Sequence, residues 1–293
     1  APDVGFHLLL LAKNLTGYKN LVKLSSAAYT EGFFYRPRID FELFKQHAEG
    51  LVATSACVQG EVAQSLLAGR TEQAEEVARR YLDLLGKENY YLEIQDHGID
   101  IEDQVRPLVI DLARRLGVNL VATNDCHYLE QKHAKAHDAL LCIQTGKVLA
   151  DQDRMRYNTD QIYFKSPEEM KKLFEDTPEA IENTLAIAEM CHLEFEPHKF
   201  YLPDFPLPDN FTTKEEYLAD LARKGLQKRY RRSTDELKTR LEYELGVISR
   251  MGFAGYFLVV ADLVDYAKNN GVSVGPGRGS AAGSLVSYCL GIT

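Results

Sequence analysis

Apolar residues in the first half of the chain come in short bursts, separated by stretches with helical spacing. "HLLLLAKN" is a strand-length burst, and "GYKNLVKLSSAAYTEG" places apolar residues three and four apart, which predicts a helix. "GLVATSAC" predicts a second strand, and "GEVAQSLLAGRTEQAEEVARRYLDLLG" predicts one or two helices broken near Gly69. "NYYLEIQDHG" reads as a strand, "IEDQVRPLVIDLARRLG" as a helix ended by Gly117, and "VNLVATNDCHYL" as a further strand. Strands alternating with helices predict an α/β fold with a parallel sheet or barrel. In such folds chemistry gathers at the C-terminal ends of the strands.

From about Ser166 the pattern turns helical. "SPEEMKKLFEDTPEAIENTLAIAEMC" opens on a serine cap, a proline and acidic residues. "FYLPDFPLPDN" holds three of the ten prolines and reads as a linker or crossing segment. Two Lys- and Arg-rich helices follow, "TTKEEYLADLARKGLQKRYRR" and "STDELKTRLEYELGVISRMG", then the amphipathic "GYFLVVADLVDYAKNNG". A short strand-like "VSVG" then leads into a glycine-rich segment. The change of texture predicts a boundary near residues 190–200, with domains over 1–192 and 193–293.

Composition narrows the classes. The chain has 293 residues, 45% hydrophobic and 26% charged, as globular proteins do. A net charge of -9 argues against a protein that coats nucleic acid over its whole surface, though a local basic groove needs only a few cations. Five cysteines without regular spacing read as reduced thiols of a cytoplasmic protein. No apolar run reaches the ~18 residues of a membrane span, and no signal peptide is visible. The chain starts without Met, directly in a strand-like segment, and stops just after the glycine-rich stretch. It reads as an excerpt of a longer polypeptide.

Three predicted strands end in residues of the metal-ligand type: Cys57, Asp96 with His97, and Asp125 with His127. Two-residue spacing puts Asp125 and His127 on one strand face, a carboxylate beside an imidazole that suits zinc, iron or manganese. His7 reaches the same rim if the chain geometry allows. The plainer reading is that a single cysteine after a strand is a small buried hydrophobe and a single histidine a packed or surface residue. His133 and His137 have zinc-ligand spacing but no "HExxH" glutamate, and read as a solvated helix face. "GFFYRPRID" sets two arginines behind three aromatics. Those rings either stack on bases while the arginines meet phosphates, or pack the core while the arginines are solvated.

"VGPGRGSAAGS" combines a short strand, a glycine loop and a helix start, the arrangement of a phosphate cradle. Gly275, Gly277 and Gly279 free the backbone, Ser280 and Ser284 offer hydroxyls, and Arg278 offers a planar fork. The pattern is neither a Walker loop nor a Rossmann fingerprint. A glycine-rich turn of purely structural role is the alternative.

At this point a resemblance enters. "MGFAGYFLVVADLVDYAKNNGVSVGPGRGSAAGSLVSYCLGIT" closely resembles the start of the palm in family C bacterial replicative polymerases, the alpha subunits of DNA polymerase III. "HLLLLAKNLTGYKNL", "GFFYRPRID", "GLVATSAC" and "ATNDCHYL" resemble, in order, that family's polymerase-and-histidinol-phosphatase (PHP) domain, with no inserted exonuclease. The resemblance implies a distorted seven-stranded β/α barrel followed by the first part of a polymerase beta-like nucleotidyltransferase palm. It implies PHP metal ligands at His7, Cys57, Asp125 and His127, with His97 nearby as a further candidate, and zinc, manganese or iron as the metal. It implies triphosphate contacts from Gly277, Arg278, Gly279 and Ser280, Ser284 adjoining. The expected activity is template-directed DNA synthesis with Mg2+, on primer–template DNA and deoxynucleoside triphosphates. The implied partners are a sliding clamp, a proofreading exonuclease subunit and a clamp-loader subunit. The family's "HxH" opening is absent, and its paired catalytic aspartates fall beyond Thr293, so this chain by itself is expected not to polymerise. The competing expectations are a metal-dependent PHP phosphoesterase or 3'-5' exonuclease, and a non-catalytic PHP scaffold that docks the proofreading subunit.

Overall fold

The computed structural model describes residues 5–196, 201–277 and 279–293. Two compact units divide the chain, Ala1–Phe195 and Glu196–Thr293. The division falls inside the 190–200 interval where the sequence texture changes.

In the first unit, β1 (Leu9–Ala12) leads to α1 (Leu15–Thr30) and α2 (Phe41–Gln46), then β2 (Leu51–Thr54). Next come α3 (Glu61–Leu67), α4 (Thr71–Leu85), β3 (Tyr90–Ile94), α5 (Asp100–Leu116) and β4 (Asn119–Ala122). The break expected near Gly69 separates α3 from α4. Gly117, at φ 66, ends α5 in the left-handed conformation that glycine adopts without strain. A 3-10 turn (Gln131–His133) precedes α6 (Ala134–Thr145), α7 (Pro167–Leu173) and α8 (Pro178–Met190). Ser166 and Glu169 form a reciprocal capping box at the start of α7, as the sequence pattern predicts.

The strands form one sheet in the order β1-β2-β3-β4. β2, β3 and β4 run parallel, but β1 is antiparallel to β2. This corrects the expectation of a wholly parallel sheet, because strand direction depends on the partner and not on the apolar burst itself. Strand alternation sorts the side chains onto two faces. Leu51, Ala53, Tyr90, Leu92, Ile94, Leu120 and Ala122 join the main core with α3, α4 and α5. Val52, Tyr91 and Val121 point the other way, against Ile187 of α8. Asn183 of α8 donates to the Leu120 carbonyl at 2.8 Å, tying the helix to β4.

The second unit is helical among its described residues: α9 (Lys214–Arg229), α10 (Asp235–Arg250), α11 (Ala254–Asn269), a 3-10 turn (Gly279–Gly283) and α12 (Leu285–Cys289). Its core gathers Leu218, Ala222 and Leu226 with Leu241, Leu245, Leu258 and Val286. The short strand expected at "VSVG" is absent, and residues 272–275 have no regular structure. A strand requires a hydrogen-bonded partner, and no other strand occurs among the described residues of this unit. No single helix among the described residues is long and apolar enough to cross a membrane.

Candidate functional site

On the α8 face, the C-terminal ends of β2, β3 and β4 carry polar groups where hydrophobic side chains would otherwise continue the layer. Buried Glu93 accepts hydrogen bonds from the hydroxyls of Thr54 and Thr123, and from Gln95 Nε2 at 3.0 Å. Its own backbone N–H donates to Ser55 Oγ at 2.8 Å. A buried carboxylate with every nearby donor turned toward it is held rigidly.

Just beyond this cluster the backbone kinks at Ala56, whose φ of 57 is unusual for a residue other than glycine. The kink presents Cys57, and His7 Nδ1 lies 3.6 Å from its Sγ. The His7 backbone N–H donates to the Gln59 carbonyl at 3.1 Å, fixing this contact from the main chain. Asp125 and His127 lie past the end of β4 and so do not share a strand face. They meet at 3.5 Å through Asp125 Oδ2 and His127 Nε2, and the His127 N–H is anchored on the Ile162 carbonyl. Burial pushes the Cys57 thiol up, and the negative charges of Asp125 and Glu93 push it further. Asp125 and Cys57 also raise Tyr157, after burial, so all three lie within electrostatic reach of one another.

Two further aromatic groups belong to this neighbourhood. Tyr157 OH lies 3.3 Å from His127 Nε2, and the His137 ring packs 5.4 Å from the His127 ring. The sequence hinted at His137 only through its spacing from His133, which instead sits in the 3-10 turn and accepts the Glu130 N–H. Nothing in the sequence pointed to Tyr157. His97 is turned inward, 2% exposed, with Nδ1 paired to Glu102 Oε1 at 2.8 Å. Asp96 is paired with Arg106 at 2.9 Å. The ligand-type residues thus come as two pairs, His7–Cys57 and Asp125–His127. Among the described residues no three His, Cys, Asp or Glu side chains converge where a metal ion could be held. As placed, the donor set does not fit a metal centre, and no chemical step here runs through one.

In the second unit, the glycine-rich segment enters a left-handed bend at Gly277 (φ 90) and again at Gly279 (φ 62). Ser280 is exposed in the 3-10 turn, and Arg278 lies outside the described residues. Ser284 caps α12 by accepting the Ser287 N–H at 3.1 Å, and its hydroxyl donates to Glu244 Oε2 at 3.0 Å. The same carboxylate oxygen accepts the Val286 N–H at 3.0 Å, while Arg240 Nε donates to Oε1 at 2.6 Å. The start of α12, expected to face an anion, therefore already holds the protein's own carboxylate. Burial raises Glu244, but the backbone N–H groups of Val286 and Leu285, with Arg240 and Ser284, outweigh it and hold the carboxyl below its ordinary range.

Comparison with known proteins adds the decisive observation. Residues 2–97 match the PHP domain, and residues 216–293 match the bacterial DNA polymerase III alpha NTPase domain. The chain is 50% identical over 288 residues to the DNA polymerase III subunit alpha of Treponema pallidum. Over nearly all of its length the chain is homologous to bacterial DNA polymerase III alpha subunits. The same holds at 46% identity for the Borreliella burgdorferi protein and at 38% for that of Thermus aquaticus. These alignments cover 98%, 99% and 98% of this chain, which spans 25%, 25% and 28% of those alpha subunits. The PHP match includes His7 and Cys57, and the alpha-subunit NTPase match includes Glu244 and the whole glycine-rich segment.

Proposed function

We propose that this chain is part of the catalytic alpha subunit of a bacterial replicative DNA polymerase, working in template-directed nucleotidyl transfer. In this reading the first unit belongs to a PHP-type barrel and the second opens a polymerase beta-like palm. The observation that carries it is the alpha-subunit NTPase match across the glycine-rich segment, within an alignment that takes in 98% of the chain. The loop from Gly277 to Ser280 meets the triphosphate of an incoming nucleotide, with the Arg278 guanidinium as the forked donor. Ser284 and Glu244 fix the exit of that loop from below. When bound, Mg2+ would supply charge neutralisation at palm carboxylates, which the family resemblance places outside residues 1–293. Primer–template DNA, a sliding clamp, a proofreading exonuclease subunit and a clamp-loader subunit are the partners that go with this role.

Arg278→Ala in the intact polymerase carrying this chain tests the reading. Losing a charge-assisted, bidentate contact lowers kcat/KM for the incoming nucleotide by about ten- to a hundredfold. Lysine restores only part of this, and primer–template affinity, measured in the same salt, stays near wild type. A variant that binds DNA much more weakly while keeping its nucleotide kcat and KM would make the loop a DNA-backbone contact instead. The readings as a PHP phosphoesterase or exonuclease, or as a docking scaffold, concern the two residue pairs of the first unit, to which no catalytic step is assigned.

A further inference from the structure

The 3-10 turn Gly279–Gly283 stands clear of the packed part of its unit. Gly279 and Ser280 are exposed, and a Cβ added at Gly279 or Gly283 would meet no heavy atom within 4 Å. A turn without packed neighbours takes its orientation from whatever holds its ends. The residues that follow are of the opposite kind, since Val286, Ser287 and Cys289 are buried. Ser284 sits where one gives way to the other.

The donors of Ser284 are both committed there. Its backbone N–H donates to the Ala281 carbonyl at 3.1 Å, which ties it back into the turn, and its carbonyl accepts the Tyr288 N–H at 3.1 Å. Its hydroxyl accepts the Ser287 N–H and gives its one proton to Glu244 Oε2. A serine whose single O–H is already donated has none left for a phosphate oxygen. Glu244 is itself held from α10. Its side chain is 11% exposed, Leu241 and Leu245 beside it share a core with Val286, and Arg240 Nε takes its other oxygen. The path from the core of the second unit to the exposed turn therefore runs through one carboxylate and one hydroxyl.

We infer that Glu244, acting through Ser284, is a positioning residue for the incoming nucleotide: it holds the Gly279–Gly283 turn in the arrangement that meets the triphosphate, and neither side chain touches the nucleotide. This rests on the nucleotide reading of the glycine-rich loop given above. Without the carboxylate the turn adopts that arrangement for only a fraction of the time, and a ligand that requires it binds more weakly by that fraction. Once the triphosphate is in place it holds the turn itself, so the loss falls on KM and not on kcat.

The test is single-nucleotide incorporation by the intact polymerase carrying this chain, with kcat and KM resolved and primer–template affinity and Tm measured beside them. Glu244→Ala raises KM for the incoming nucleotide about tenfold and keeps kcat within about twofold. Glu244→Gln keeps an acceptor for Ser284 but turns an amide toward Arg240, and raises KM by only about threefold. Ser284→Ala raises KM as well, and the double variant Glu244→Ala with Ser284→Ala shows no more than about the larger single effect, because the two residues act as one unit. Primer–template affinity stays at the wild-type level throughout. Should Glu244→Ala not fold, Glu244→Gln and Ser284→Ala are judged on the same KM. The inference is overturned if these variants keep the wild-type KM, whatever their Tm, while Arg278→Ala still lowers kcat/KM; the nucleotide reading of the loop then stands without it. A fall in kcat at unchanged KM, or single effects that add in the double variant, also overturns it. If Arg278→Ala changes no nucleotide kinetics, the reading beneath the inference fails and the inference with it.

Discussion

Glu244 has two partners at the start of α12 and one on its own helix, and this arrangement makes the glycine-rich segment sensitive to acid. Its carboxyl is held below the ordinary range in the folded chain, so its stabilising contribution is complete above that range and is lost as pH falls through the depressed value. Amide hydrogen exchange at Val286 and Ser287 reads this directly. Protection is full near neutrality and is lost as pH falls below the ordinary carboxylate range, while Glu244→Gln flattens that dependence and lowers protection at neutral pH. Unchanged protection of both amides in the glutamine variant would mean that the carboxylate does not hold the helix start. The same residue explains why an anion cradle was expected at the start of α12: glycines and serines mark a free helix terminus in sequence, and a carboxylate forty residues earlier fills it.

At the scale of elements, α9 and α12 approach closely in the second unit. A Cβ at Gly225 would lie 2.0 Å from the Cys289 carbonyl, and neighbouring Tyr288 carries the Arg229 guanidinium over its ring at 4.2 Å. Gly225→Ala therefore forces the helices apart and destabilises the unit by about 2–3 kcal/mol, despite the better helix propensity of alanine. Urea unfolding followed by far-UV circular dichroism checks this, and a neutral or stabilising effect would refute the packing described. The helices themselves were legible because apolar spacing and caps are local signals: Gly117 ends α5, and Ser166 with Glu169 opens α7. Partner-dependent features were not. The direction of β1 and the absence of a strand at "VSVG" are decided by which segments are available to pair. Glu93 did leave a trace, as a lone acid inside the otherwise apolar "YYLEI". The conformation of Tyr35 left none, since only the folded loop forces its positive φ.

Across the whole molecule, the sequence resemblance, the two domain matches and the division into two units describe the same object from different directions. The change from strand–helix alternation to helices near residues 190–200 falls where the chain divides into two compact units. His7, Cys57, Asp125 and His127 showed in the sequence only as residue types near strand ends, because their pairing as His7–Cys57 and Asp125–His127 depends on loops such as the Ala56 kink. The central claim, that the chain works as part of a replicative polymerase alpha subunit, is tested most directly by exchange. The segment of the Treponema pallidum alpha subunit that aligns with 98% of this chain is replaced by the corresponding part of it, and primer extension on a defined template is measured. The account predicts a cooperatively folded chimera that extends the primer in a template-directed manner and loses that activity with Arg278→Ala. A chimera that folds and binds primer–template but incorporates no nucleotide would contradict it.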